Sequence, residues 1–124
     1  MALDPEVLDH TSALASAGGD PEFLREIAGL IQAAWPSLLQ DIRKDLAAAN
    51  LRGMEETARL AKAAAKYVSA RRAYVAALLL ELMATKRDLQ GAQRATANLE
   101  EEVAKLQLVI PTLRNSHDSP RNES

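Results

Sequence analysis

Four stretches of this chain carry apolar residues at helical spacing, two of them in steps of three and four, and only a few turn-forming residues separate one stretch from the next. Steps of three and four bring side chains to one face of a helix, whereas a strand needs strict alternation, and no such alternation competes here. The first ladder is Phe23, Leu24, Ile27, Leu30, Ile31, Ala34, Leu38, Ile42 and Leu46, and the second is Leu51, Met54, Ala58, Ala61, Ala65 and Val68. The third places Tyr74, Val75, Leu78, Leu79, Leu82 and Met83 inward, and the fourth places Ala92, Ala95, Leu99, Val103, Leu106 and Ile110 inward. Long amphipathic helices joined by short connections favour antiparallel neighbours. The expected fold is therefore all-α, an up-down-up-down four-helix bundle with a short N-terminal helix as a lid.

The punctuation predicts the boundaries. Asp4, Pro5 and Glu6 supply an N-cap, a proline at the first helical position and an acid in the first turn, opening a helix that fades by Ser16. Gly18 and Gly19 form a linker, and Asp20, Pro21 and Glu22 repeat the start signal for a helix that runs to about Ala49. Pro36 falls inside it and predicts a kink near residues 33–35. Asn50 precedes the third helix and Ser69 ends it; the fourth spans about 70–87, and Pro111 is expected to stop the fifth. The bundle is placed at 1–111 and a disordered polar tail at 112–124, since residues 115–124 offer nothing apolar to bury.

Composition narrows the function. With no cysteine there is no disulfide framework, thiolate metal site or cysteine nucleophile, which fits a reducing compartment. The opening MALDPEVLDH is unlike a secretory signal, so a cytoplasmic location is expected. The longest apolar run, 73–80, ends at Glu81 and is far too short to cross a bilayer. A net charge of -2 provides no global field for nucleic acid or an anionic membrane, so neither is expected as a partner. Glu100, Glu101 and Glu102 are consecutive and splay around their helix, leaving no metal-ligand spacing, and neither a cofactor motif nor a nucleophile and base pair can be nominated.

The segment 58–70 reads ARLAKAAAKYVSA and resembles the signature of histidine phosphotransfer domains: alanine, histidine, any residue, leucine, lysine, glycine, then small residues and a turn. Ala58 matches the leading alanine, Lys62 the lysine, Ala64 and Ala65 the small pair, and Ser69 with Ala70 the turn. The preceding GGDPEFLREIAGLIQAAWPSLLQDIRKDLAAAN is similar to the family's opening and long second helix, and the likeness covers about residues 3–110. The phosphate-accepting histidine falls on Arg59, the leucine on Ala61 and the glycine on Ala63. The resemblance implies a bundle that docks onto the receiver domain of a response regulator or hybrid histidine kinase.

Arginine at position 59 changes the chemistry. Neutral imidazole attacks a phosphoaspartate through a nitrogen lone pair, whereas guanidinium stays protonated and has donors only. The chain is thus expected to bind without carrying phosphate and not to be an enzyme. Arg59, Lys62 and Lys66 share one face of the third helix, with Glu55 one turn earlier, and together with Ala63 they are the expected partner-binding residues. Two alternatives stand beside this reading: a helical adaptor unrelated to phosphorelays, in which the cations are only a solvated face, and an active relay through another residue. The second is disfavoured because the only other candidates, His10 and His117, lie far from the motif. Trp35 is expected in the core, His10 as an ordinary surface histidine, and the run 78–80 as packing under the lid helix.

Overall fold

A computed structural model describes residues 4–115. All regular structure among these residues is helical: α1 (His10–Ser16), α2 (Pro21–Ala47), α3 (Leu51–Tyr67), α4 (Arg71–Thr85) and α5 (Leu89–Asn115). Helix α3 packs on α4, α4 on α5, α5 on α2 and α2 on α3, so the four long helices close into a ring around one core.

The starts follow their capping side chains. The Asp20 carboxylate accepts the backbone N–H groups of Glu22 (3.0 Å) and Phe23 (3.3 Å), with Pro21 at the first helical position, where its missing donor costs nothing. Asn50 caps α3 by accepting the N–H of Gly53 at 3.0 Å. A Cβ on Gly53 would stand 2.6 Å from an Asp45 carboxylate oxygen and 2.7 Å from the Asn50 side-chain amide, so both side chains, the capping one included, would have to shift to admit it. The α1 start is displaced from its expected place. Asp4 forms only a turn, accepting from Glu6, and the helix opens at His10 with Asp9 as its cap. Two hydrogen bonds tie this segment to the α3–α4 connection and the first turn of α4, Asp9 N–H to the Ser69 carbonyl and Arg72 N–H to the Glu6 carbonyl.

The three connections 48–50, 68–70 and 86–88 share one geometry. In each, the middle residue takes a left-handed conformation, Ala49 at φ 53°, Ser69 at 54° and Arg87 at 61°, and the next N–H reaches back to a carbonyl in the last helical turn. This is the turn glycine usually supplies, made here by residues that strain to adopt it.

Both internal prolines stay inside their helices. Pro36 cannot donate to the Gln32 carbonyl, and the Gln107 side-chain amide of α5 donates to that carbonyl instead, at 3.1 Å. Pro111 does not stop α5, which runs to Asn115, because Leu113 is wholly buried and Thr112 accepts from His10 Nε2 at 2.9 Å. These tertiary contacts outweigh the local preference to end. The remainder of the expected polar tail lies outside the described residues. Since the Thr112 hydroxyl donates to the Val109 carbonyl at 2.6 Å, His10 must be the donor in its pair, a half-buried anchor rather than an ordinary surface histidine.

The core has two textures. From α2 and α5 come Trp35, Leu24, Ile42, Leu99, Val103, Leu106, Ile110 and Leu113; from α3 and α4 come chiefly Ala58, Ala61, Ala64, Ala65, Ala73, Ala76, Ala77 and Ala84, with Met54 and Leu80. The inward sets of α3 and α5 match the apolar ladders. That of α4 matches in part: Tyr74 and Met83 pack against the core and Leu78 is half-buried, but Val75, Leu79 and Leu82 are about two fifths exposed, and Ala73, Ala76, Ala77, Leu80 and Ala84 face the core. Phe23 and Leu30 of α2 are likewise exposed.

Candidate partner-docking face

The inward alanine seam of α3 turns Glu55, Arg59, Lys62, Ala63 and Lys66 outward, but not into one equivalent group. On the flank nearest α4, Arg59 Nη2 reaches Glu55 Oε2 and its Nε reaches Glu81 Oε2, each at 3.2 Å. Lys62 Nζ takes the other Glu81 oxygen at 2.6 Å, and the Thr85 hydroxyl lies 3.0 Å from Glu55 Oε2. Two carboxylates and two cations form a neutral seam between α3 and α4. The Lys62 hydrogen bond, and then the Lys62 charge and Arg59, hold the Glu81 carboxyl below the usual carboxylate range against the opposing pull of its partial burial.

Arg59 and Lys62 are therefore largely compensated within the chain. Lys66 is exposed and makes no ion pair among the described residues. It borders a shallow depression with Ser16, Ala63 and Tyr67. Beside it, Leu60 (61% exposed) and Tyr67 (59% exposed) stand seven residues apart with Ala63 between them, an apolar ridge on the outer face of α3.

Arg59 donates to two carboxylates, and among the described residues no imidazole or thiol accompanies it on this face. Among the described residues no group of three or more His, Cys, Asp or Glu side chains could hold a metal ion, and no helix is long and apolar enough to cross a membrane.

Sequence reasoning missed Glu81 and Thr85, which lie a helix away from the motif and become neighbours only on folding. Leu60 and Tyr67 were legible in principle, as large apolar residues standing off the alanine seam. Comparison with known family models, with curated proteins and with solved structures found no match.

Proposed function

We propose that the chain is a histidine phosphotransfer-like binding module that engages a receiver domain or histidine kinase and modulates it without carrying phosphate. The observation that carries this reading is the outer face of α3. Where the family signature would place a phosphate-accepting histidine stands a half-exposed arginine, beside an apolar ridge and the uncompensated Lys66.

An up-down-up-down arrangement, with the segment before α2 as a lid, accords with the cross-links. Arg43 meets Glu100 while Gln32 meets Gln107 and Arg114, so numbers fall along α5 as they rise along α2. Glu55 with Thr85 and Lys62 with Glu81 repeat the pattern for α3 and α4.

Docking on such a face combines desolvation of Leu60, Ala63 and Tyr67 with carboxylates drawn to Lys66 and Arg59. Arg59 can reach a partner's acidic pocket only by exchanging Glu81 or Glu55 for it, so its net contribution is smaller than a free guanidinium would provide. The test is a binding titration of the full chain against a panel of receiver domains, phosphorylated and not, with Leu60→Ser, Lys66→Ala and Arg59→Ala alongside. One receiver should bind, about tenfold more weakly to Leu60→Ser and less affected by Arg59→Ala. Incubation with acetyl phosphate should leave the chain unlabelled. Acid-labile label, or no binding across the panel, overturns the reading.

A helical adaptor is the second reading, favoured by the large side chains that α4 leaves in solvent.

A further inference from the structure

The outer face of α4 has no use in the docking reading. Val75, Leu79 and Leu82 are 39%, 41% and 43% exposed, with Leu78 half-buried beside them. Their spacing of four and three puts them in one line along the helix, about 10 Å from end to end. Extending that line by four residues each way meets Arg71 before Val75 and Lys86 after Leu82. The result is an apolar stripe with Arg71, paired to the exposed Glu6, beyond one end and Lys86 beyond the other. The neutral Arg59–Glu55–Glu81–Lys62 seam separates it from the α3 ridge.

The charges around the stripe select its occupant. Arg71 reaches only Glu6, at 3.2 Å and itself well exposed, while Lys86 and its neighbour Arg87 make no ion pair among the described residues. The acids along the borders are engaged, Glu81 by Arg59 and Lys62, Glu102 by Arg72 and Lys105. A second copy is a poor match. Counting Glu6 with Arg71, parallel pairing of α4 with itself still sets Lys86 against Lys86, and antiparallel pairing sets Lys86 and Arg87 against Arg71 and its one carboxylate, so positive charge is left in excess either way. A bilayer is a poor match too, because an interfacial helix needs a broader apolar face than three exposed aliphatics over two turns.

We infer that the outer face of α4 docks an amphipathic helix from a partner protein, one whose apolar line is bounded by an acidic residue at each end. Leucines or similar side chains pack between Val75, Leu79 and Leu82, and the terminal carboxylates pair with Arg71 and Lys86, fixing the register. The surface is independent of receiver docking, and the two can be lost separately.

The test uses the full chain and a fluorescent designed helical peptide about five turns long, with leucines at the complementary spacing and glutamates at both ends of its apolar line; a second peptide carries lysines there. Fluorescence anisotropy should show the glutamate peptide binding at least about tenfold more tightly than the lysine peptide. Leu79→Lys with Leu82→Lys should abolish binding, Arg71→Glu with Lys86→Glu should reverse the preference, and Leu60→Ser with Tyr67→Ser should change nothing. Circular dichroism should show the α4 variants still helical and cooperatively folded, with a modestly lower melting temperature for Leu79→Lys with Leu82→Lys because both leucines are more than half buried. Equal affinity for the two peptides, a dimer in sedimentation that Leu79→Lys dissolves, capture by phosphatidylserine vesicles that the same change prevents, or loss of the fold in Leu79→Lys would each overturn the inference.

Discussion

The α2–α5 half of the bundle and the α3–α4 half solve the same packing problem in opposite ways. In the first, Trp35, Ile42, Leu99, Leu106 and Ile110 fill the interior, and polar cross-links such as Arg43 to Glu100 and Gln107 to the Gln32 carbonyl lace the seam. In the second, alanines line the interior, which lets the helices approach closely and turns Leu60, Tyr67, Val75, Leu79 and Leu82 toward solvent. Each of these side chains buries part of its surface on folding and leaves the rest, from about two fifths at Val75, Leu79 and Leu82 to about three fifths at Leu60 and Tyr67, in contact with water. Both proposed docking surfaces lie on that half, where the exposed apolar residues line up along a helix face; the other half also leaves Leu30 and Leu108 in solvent.

The contrast breaks most readily in the core. Trp35→Ala should cost about 3–5 kcal/mol in urea denaturation, because it empties the largest buried side chain. In the alanine half the damaging change runs the other way. Ala61→Leu or Ala77→Leu should cost about 1–3 kcal/mol by forcing α3 and α4 apart, and a gain in stability would mean that the helices do not pack as closely as their alanines imply.

Smaller effects sharpen it. Gln107→Leu should cost about 1 kcal/mol by stranding the Gln32 carbonyl, but little in a Pro36→Ala background, where residue 36 recovers its own N–H; a double-mutant cycle reads the coupling directly. Ala49→Gly should add about 0.5–1 kcal/mol by relieving the left-handed strain at φ 53°.

The pH dependence should be gentle and of one sign. Glu81, Glu100 and Glu102 are each held below the ordinary carboxylate range, chiefly by the hydrogen bonds of Lys62, Arg43 and Arg72. A depressed folded pKa contributes stability that is fully present above the unfolded value and is lost as the pH falls through the folded one. Stability followed by thermal melts should therefore be flat near neutrality on account of these groups and decline below the ordinary carboxylate range, less steeply in Glu81→Gln.

Much of the fold was legible because its determinants are local. Asp20–Pro21 and Asn50 announce their helices by chemistry that acts within three residues, and the α5 ladder from Ala92 to Ile110 has one consistent period. Local cues failed where a distant partner decides. Pro111 reads as a stop until Leu113 and Thr112 find the core and His10, and Asp4 reads as a cap until Asp9 takes that place. The face of α4 was misread for a different reason. Every residue of the run VAALLL is apolar, so spacing alone does not select the buried face, and weighing leucine above alanine puts Val75, Leu79 and Leu82 inward in place of the alanines. Of the candidate site, the α3 residues were visible and their Glu81 counter-charge was not, so the face looked more cationic than it is.

The outward setting of the large α4 side chains supports the whole contrast, and the absence of cysteine makes it directly measurable. Leu79→Cys and Leu80→Cys, labelled with a maleimide under native conditions, place one thiol on each side of the helix. The account predicts that Cys at 79 reacts nearly as fast as a free thiol and Cys at 80 at least about a hundredfold more slowly, since the latter must wait for local opening. Slow labelling at 79 with fast labelling at 80 would turn α4 over and contradict it.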